Sequence, residues 1–175
     1  MIKKIIKLIK RKKPKVIKRV NGVNFVDAFI DDYGVYHPIK GEEKIKVPSE
    51  NSEEFKMAVW IKENLGGRIS MVPEMKQEKG NKNTVSTQTP DYIWNNEKWD
   101  LKGIDGNSKN TIGHKFEENK FQTHNLILYP RKTSLEDNIV FEYIQMSLNK
   151  YSKYYNNKVI YVRDYKSIKI FEKQK

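Results

Sequence analysis

The sequence predicts an α/β (α+β) domain, a mixed central β-sheet flanked by helices. Three observations predict it. A tight hairpin signal stands at residues 88 to 104, where Asn95-Asn96 forms a two-residue turn between aromatic and β-branched residues. A capped helix precedes it, and short apolar runs of strand length alternate with helical spacing after it. From residue 52 the order reads helix, strand, strand, strand, helix, strand, then helix, strand, strand.

The first twenty residues hold ten Lys/Arg and no acid. Apolar residues at positions 2, 5, 6 and 9 have helical spacing, with lysines on the other face. Residues 1 to 20 are therefore read as a basic amphipathic arm. Its polyanion-binding candidates are Lys10, Arg11, Lys12, Lys13 and Lys15, facing nucleic acid or an anionic membrane surface. Lysines interrupt every apolar run here, which excludes the uninterrupted core of a signal peptide. No run is long enough for a membrane span, so the expectation is a cytoplasmic protein.

Residues 21 to 50 read as a lead-in. Residues 23 to 30 suit a strand or short helix, 31 to 34 a turn, and 35 to 39 an extended segment in which Pro38 holds His37 extended. The domain proper is expected over 51 to 175. Ser52 is placed to cap a helix with Glu53 and Glu54 in its first turn, and Gly66-Gly67 ends it. Residues 68 to 72 read as a strand and 74 to 88 as a loop. After the hairpin, 103 to 108 is expected to be a loop and 111 to 121 a helix. A buried strand follows at 125 to 129, stopped by Pro130. Ser134 to Asp137 resembles a capping box, opening a helix to about Tyr151. Two turns, at Asn156-Asn157 and at 164 to 167, then bracket strands at 158 to 162 and 168 to 171.

Composition narrows the chemistry. At 175 residues with 20 aromatics the chain supports one ordinary domain with a core. The absence of cysteine excludes disulfides, thiolate metal sites and a thiol nucleophile. The net charge of +12 is concentrated in the arm; the other 155 residues carry 24 basic against 22 acidic side chains. No Gly-rich phosphate loop, zinc-finger pattern or nucleophile elbow is present.

If Asn95-Asn96 is the turn, Asp91 is expected opposite Asp100, with Lys102 on the same face as Asp100 and Trp99 on the other. Like charges facing across a strand pair are destabilising unless a cation, a shared proton or a substrate satisfies them. Two hard carboxylates suit Mg²⁺ or Mn²⁺, and a lysine beside them suits a phosphate's attacking water. The plain alternative is a surface hairpin with an Asp–Lys salt bridge.

Pro90-Asp91 followed by Asp100-Leu101-Lys102 resembles the motif of the PD-(D/E)XK, restriction-endonuclease-like nucleases. That resemblance implies an αβββαβ core, here with an extra C-terminal helix and hairpin. It implies Asp91 and Asp100 as metal ligands, Glu54 completing the set (Glu63 second), and Lys102 as the catalytic lysine. Gln122, ahead of an apolar strand, matches a glutamine that some relatives turn toward the metal.

Residues 54 to 129 also resemble the small tRNase domains of contact-dependent inhibition and other polymorphic toxins, and the barnase/EndoU/colicin/RelE-like nucleases of phages. The likeness lies in Pro90-Asp91-Tyr92, residues 99 to 102 and residues 121 to 125. It implies a toxin acting on RNA such as tRNA, with a cognate immunity protein as partner. The alternatives are a metal-independent RNase using Lys102 with His114, Thr123 or His124, and a non-enzymatic nucleic-acid or membrane adaptor. Trp60, Trp94 and Trp99 are candidates for base stacking, with core packing the plainer role.

Overall fold

The structure is a computed structural model that describes residues 7–8, 16–20, 23–30, 33–39, 51–72, 90–119, 123, 125–151 and 158–172. The chain divides into two units, Met1–Glu97 and Lys98–Lys175. The order of elements from residue 53 onward is the predicted one, and strand pairing is mixed in each unit.

In the first unit, β1 (Lys7–Leu8), β2 (Val16–Val20), β3 (Val23–Ile30), β4 (Tyr36–Ile39), β5 (Ile69–Met71) and β6 (Tyr92–Trp94) accompany one helix, α1 (Glu53–Asn64). β3 pairs antiparallel with β1, β2 and β4; β4 pairs parallel with β5, and β5 antiparallel with β6. The helical spacing of the opening residues is thus overridden at Lys7–Leu8, which pair with Ile30 and Phe29. Val16–Val20, rich in β-branched residues, is likewise a strand. The other residues up to 15 lie outside the described ones, as do the expected loop at 74 to 88 and the turn at Asn156-Asn157.

α1 forms where its cap predicts. The Ser52 hydroxyl accepts a hydrogen bond from the Phe55 N–H at 3.1 Å, satisfying one of the donors a helix start leaves unpaired. Phe55, Met57, Ala58, Trp60 and Ile61 are its buried residues. Its end then grips the hairpin tip. Asn95 and Asn96 both have positive φ, +49° and +68°, as a two-residue turn between twisted strands requires. Asn95 Oδ1 accepts from the Arg68 N–H at 3.0 Å and the Asn95 N–H donates to the Arg68 carbonyl at 2.9 Å. The Trp94 indole N–H donates to the Gly66 carbonyl at 2.9 Å.

The second unit holds β7 (Glu97–Asp105, whose first residue belongs to the other unit), α2 (Asn110–Asn119), β8 (Asn125–Lys132), α3 (Asp137–Lys150), β9 (Lys158–Arg163) and β10 (Ser167–Glu172). β7, β8 and β9 are parallel, and β10 closes antiparallel on β9. Helices α2 and α3 cover one face. Ile112 and Phe116 of α2, and Val140, Ile144 and Leu148 of α3, pack with Ile104, Leu126, Leu128, Val159, Tyr161 and Phe171 of the strands.

Three boundaries differ from expectation. Gly103 to Asp105 extends β7 instead of opening a loop, because those residues still pair with β8. β8 runs through Pro130 to Lys132; pairing with β9 ends at Leu128, so the proline stands where it interrupts no ladder on that side. α3 starts at Asp137 with Glu136 as its cap and no side-chain capping bond. Ser134 is diverted: its N–H donates to Asn107 Oδ1 at 2.6 Å.

Candidate active site

β7 carries Asp100 and Lys102 two positions apart, which puts both side chains on one face. It is the face of Ile104, the one covered by α2 and α3. In the parallel register Asp100 stands beside Leu126 and Lys102 beside Leu128. Asp100 is 2% exposed and its Oδ2 lies 2.7 Å from the ammonium of Lys102, itself 23% exposed. The acid is therefore inside and the ammonium nearer to solvent. Burying a carboxylate this deeply is expensive without a cation beside it, and Lys102 supplies one. The ammonium sits at ion-pair distance but off the hydrogen-bonding direction, and Oδ2 has no hydrogen-bond donor among the described residues. Trp99, on the opposite face, is buried as packing.

At the start of the neighbouring strand lies a polar chain made of Thr123 and Asn125, both noted in the sequence, and of Asn119, which was not. Asn119, Thr123 and Asn125 are all buried. The Asn119 amide donates to Thr123 Oγ1 at 3.1 Å, the Thr123 hydroxyl donates to the Asn125 carbonyl at 2.7 Å, and the Asn125 amide donates to the Lys98 carbonyl at 3.1 Å. The signal was available. Ile112, Phe116 and Asn119 step four and three residues apart, so Asn119 falls on the buried stripe of α2.

The other expected site residues are placed as follows. Asp91 is half-buried just before β6 in the first unit, and its carbonyl accepts from the Val72 N–H at 2.8 Å. The Glu54 side chain is exposed on α1, and its carbonyl accepts from the Tyr92 hydroxyl at 2.7 Å. His114 is exposed on α2. Gln122, His124, Lys10, Arg11, Lys12, Lys13 and Lys15 lie outside the described residues.

Among the described residues, no three His, Asp or Glu side chains converge as a metal-ligand group. Asp100 still fits a hard cation. Mg²⁺ commonly takes one or two carboxylates and keeps several waters, and Asp100 Oδ2 is a buried oxygen that accepts no hydrogen bond among the described residues, with the Lys102 ammonium 2.7 Å away. At the far end of β7, Asp105 receives two hydrogen bonds from the Arg131 guanidinium, one of them from Nε at 2.8 Å. Those bonds hold its carboxyl below the usual range, against a smaller opposing effect of burial. On α3, Asp137 accepts from both the Tyr161 hydroxyl and Arg163. Burial first, then that bond, pushes the Tyr161 hydroxyl upward.

Fold and site together define an α+β domain with a buried acid–ammonium pair on the third strand of a helix–three-strand–helix–strand order. Residues 88–168, a little under half the chain, match the family model of the contact-dependent growth inhibition CdiA C-terminal domain, a toxin domain. The matched stretch contains Asp91, Asp100, Lys102 and Asn119. Among solved structures, the CdiA-CT/CdiI toxin and immunity complex from Burkholderia pseudomallei aligns over 74% of this chain and 96% of that chain, at 20% identity and a TM-score of 0.46. Comparison with curated proteins gives no match. Among the described residues, no helix is long and apolar enough to cross a membrane.

Proposed function

We propose that this chain is a toxin-type endonuclease that hydrolyses nucleic-acid phosphodiesters, RNA such as tRNA before DNA, with Asp100 and Lys102 at its centre in the PD-(D/E)XK manner. One observation carries the reading: the buried Asp100–Lys102 pair on β7 falls inside the stretch that matches a growth-inhibition toxin domain. The chemistry suits the residues. Lys102 offers positive charge to the phosphate on which negative charge builds as water attacks. Asp100 orients that ammonium and offers an acceptor for the water's proton. With Mg²⁺ or Mn²⁺ bound, Asp100 would be a protein ligand and the ion would supply Lewis acidity. The basic arm would add affinity for the phosphate backbone that is independent of sequence. A cell that makes such a toxin needs a neutralising protein, so a cognate immunity partner belongs to this reading.

The metal-free alternative is weakened at one residue. Thr123 is buried, and its hydroxyl is already committed to the Asn125 carbonyl, so it is unsuited to general acid–base work. The test is cleavage of mixed tRNA and of duplex DNA by the purified chain, with Mg²⁺ or Mn²⁺ against EDTA, beside Asp100→Asn. Metal-dependent cutting that falls about a hundredfold or more in the variant, well beyond any loss of folded protein, is the expected result. Cutting that survives EDTA moves the mechanism to Lys102 and His114. No cutting of either substrate leaves a binding protein.

A further inference from the structure

The Asn119 amide has a fixed orientation, and that orientation leaves an unanswered acceptor. Thr123 has one hydroxyl hydrogen, and it is spent on the Asn125 carbonyl at 2.7 Å. Toward Asn119, at 3.1 Å, Thr123 Oγ1 can only accept, so the Asn119 nitrogen must face it. Asn119 Oδ1 then points elsewhere. Asn119 is 0% exposed, and Oδ1 has no hydrogen-bond donor among the described residues. A buried acceptor left this way is costly, and native proteins usually satisfy it with ordered water.

Topology places a second such oxygen at the same level. α2 runs back along the sheet, from the end of β7 to the start of β8. Its buried stripe begins with Ile112, in the cluster of Ile104, and ends at Asn119. Seven helical residues descend about 10 Å, and the four strand residues from Ile104 back to Asp100 about 13 Å. Asn119 therefore ends near the level of Asp100, on the face Asp100 shares. The hydrogen-bond chain fixes its level, since it ends on the backbone carbonyl of Asn125, which stands beside Trp99 in the parallel register. Asp100 Oδ2 and Asn119 Oδ1 are both buried and neither accepts a hydrogen bond among the described residues; Asp100 Oδ2 has the Lys102 ammonium 2.7 Å away but off the hydrogen-bonding direction. Two acceptors cannot bond each other; one water, with two hydrogens, satisfies both.

We infer that Asn119 is a positioning residue for Asp100, the two side chains sharing one buried water, with Thr123 and Asn125 holding the Asn119 amide in place. The inference rests on the nuclease reading for its effect on rate, but not for the water. The water is tested without substrate, by urea unfolding of Asn119→Ala, Asp100→Asn and the double variant in the full chain, with Asn119→Ser in place of Asn119→Ala if the latter does not fold. Linked residues do not act independently, so the double variant's unfolding constant departs from the product of the single effects by about threefold or more. Effects that simply multiply would overturn the link.

On activity, Asn119→Ala lowers kcat about tenfold with KM unchanged. Asn119→Asp sets a second carboxylate near Asp100 and moves the acid limb of the pH–rate profile upward by about one unit, which a purely structural lesion does not do. Loss of cutting in Asp100→Asn with an unmoved limb in Asn119→Asp sinks the positioning role and spares the nuclease reading. No cutting by the wild-type chain sinks the nuclease reading, and the unfolding cycle still decides the link.

Discussion

At the scale of residues, the alternation along β7 decides most of the site. Side-chain parity alone puts Asp100 and Lys102 on one face and Trp99 on the other, and the structure agrees. Asn119 escaped because its role depends on a tertiary partner, the Thr123 hydroxyl, whose hydrogen is fixed by yet another residue. The same strand ends in the Asp105–Arg131 pair, which packs over Gly103. A Cβ on Gly103 would lie 3.0 Å from Arg131 Nε and 3.2 Å from the Tyr129 hydroxyl, so a larger residue after Lys102 needs those side chains to give by a few tenths of an ångström. Arg131 lowers the Asp105 pKa from 3.8. A depressed folded-state pKa stabilises the fold above the unfolded value, and the contribution is lost as pH falls through the folded one. With Asp105 33% exposed, solvent screens the pair and the effect is small. Asp105→Asn is therefore expected to be slightly less stable than wild type at pH 7, with the gap closing well below pH 3.8. Urea midpoints at pH 7 and pH 2.5 check this, and a constant gap would assign the loss to something other than charge.

At the scale of elements, what was legible was whatever local chemistry enforces. Ser52 caps α1 and Asn95-Asn96 turns the hairpin because each needs only its own neighbours. Illegible were the ends set by pairing: β7 and β8 each run beyond their turn signals because a neighbouring strand holds them. The start of α3 slipped because Asn107 takes the Ser134 N–H and leaves Glu136 to cap without a side-chain bond. The contact between the end of α1 and the hairpin tip gives a sharp test. Gly67 has φ +82°, and a Cβ there would lie 2.3 Å from Asn95 Oδ1, the atom that accepts from Arg68. Gly67→Ala should thus displace the turn that feeds β7, at a loss of about 1–3 kcal/mol. Gly66→Ala, also at positive φ but with nothing within 4 Å of its Cβ, should lose less. Equal losses in chemical denaturation would show that backbone strain, and not the collision with Asn95, governs this corner.

At the scale of the whole molecule, the α+β class was legible because the alternation of helical and strand signals survives errors at individual boundaries. The opening residues misled because their isoleucines and lysines satisfy a helical period while β3 offers Lys7–Leu8 a strand to pair with. Charge is the other property of the whole chain. Ten basic residues in the first twenty stand against a nearly balanced remainder of 24 and 22, so the proposed function puts phosphate affinity and phosphate chemistry in different parts of one chain. Five of those charges, Lys10, Arg11, Lys12, Lys13 and Lys15, can be replaced by Gln while leaving Lys7–Leu8 intact. If the arm grips phosphates, the slope of log affinity against log salt flattens by at most about 3.5 on single strands and about 4.5 on duplex. Cleavage at saturating substrate stays unchanged, because Asp100 and Lys102 are untouched. Fluorescence anisotropy across a salt series, with the Asp100→Asn background preventing turnover, reads the slope directly. An unchanged slope on nucleic acid, together with lost adhesion to vesicles containing anionic lipid, would assign the arm to a membrane surface instead.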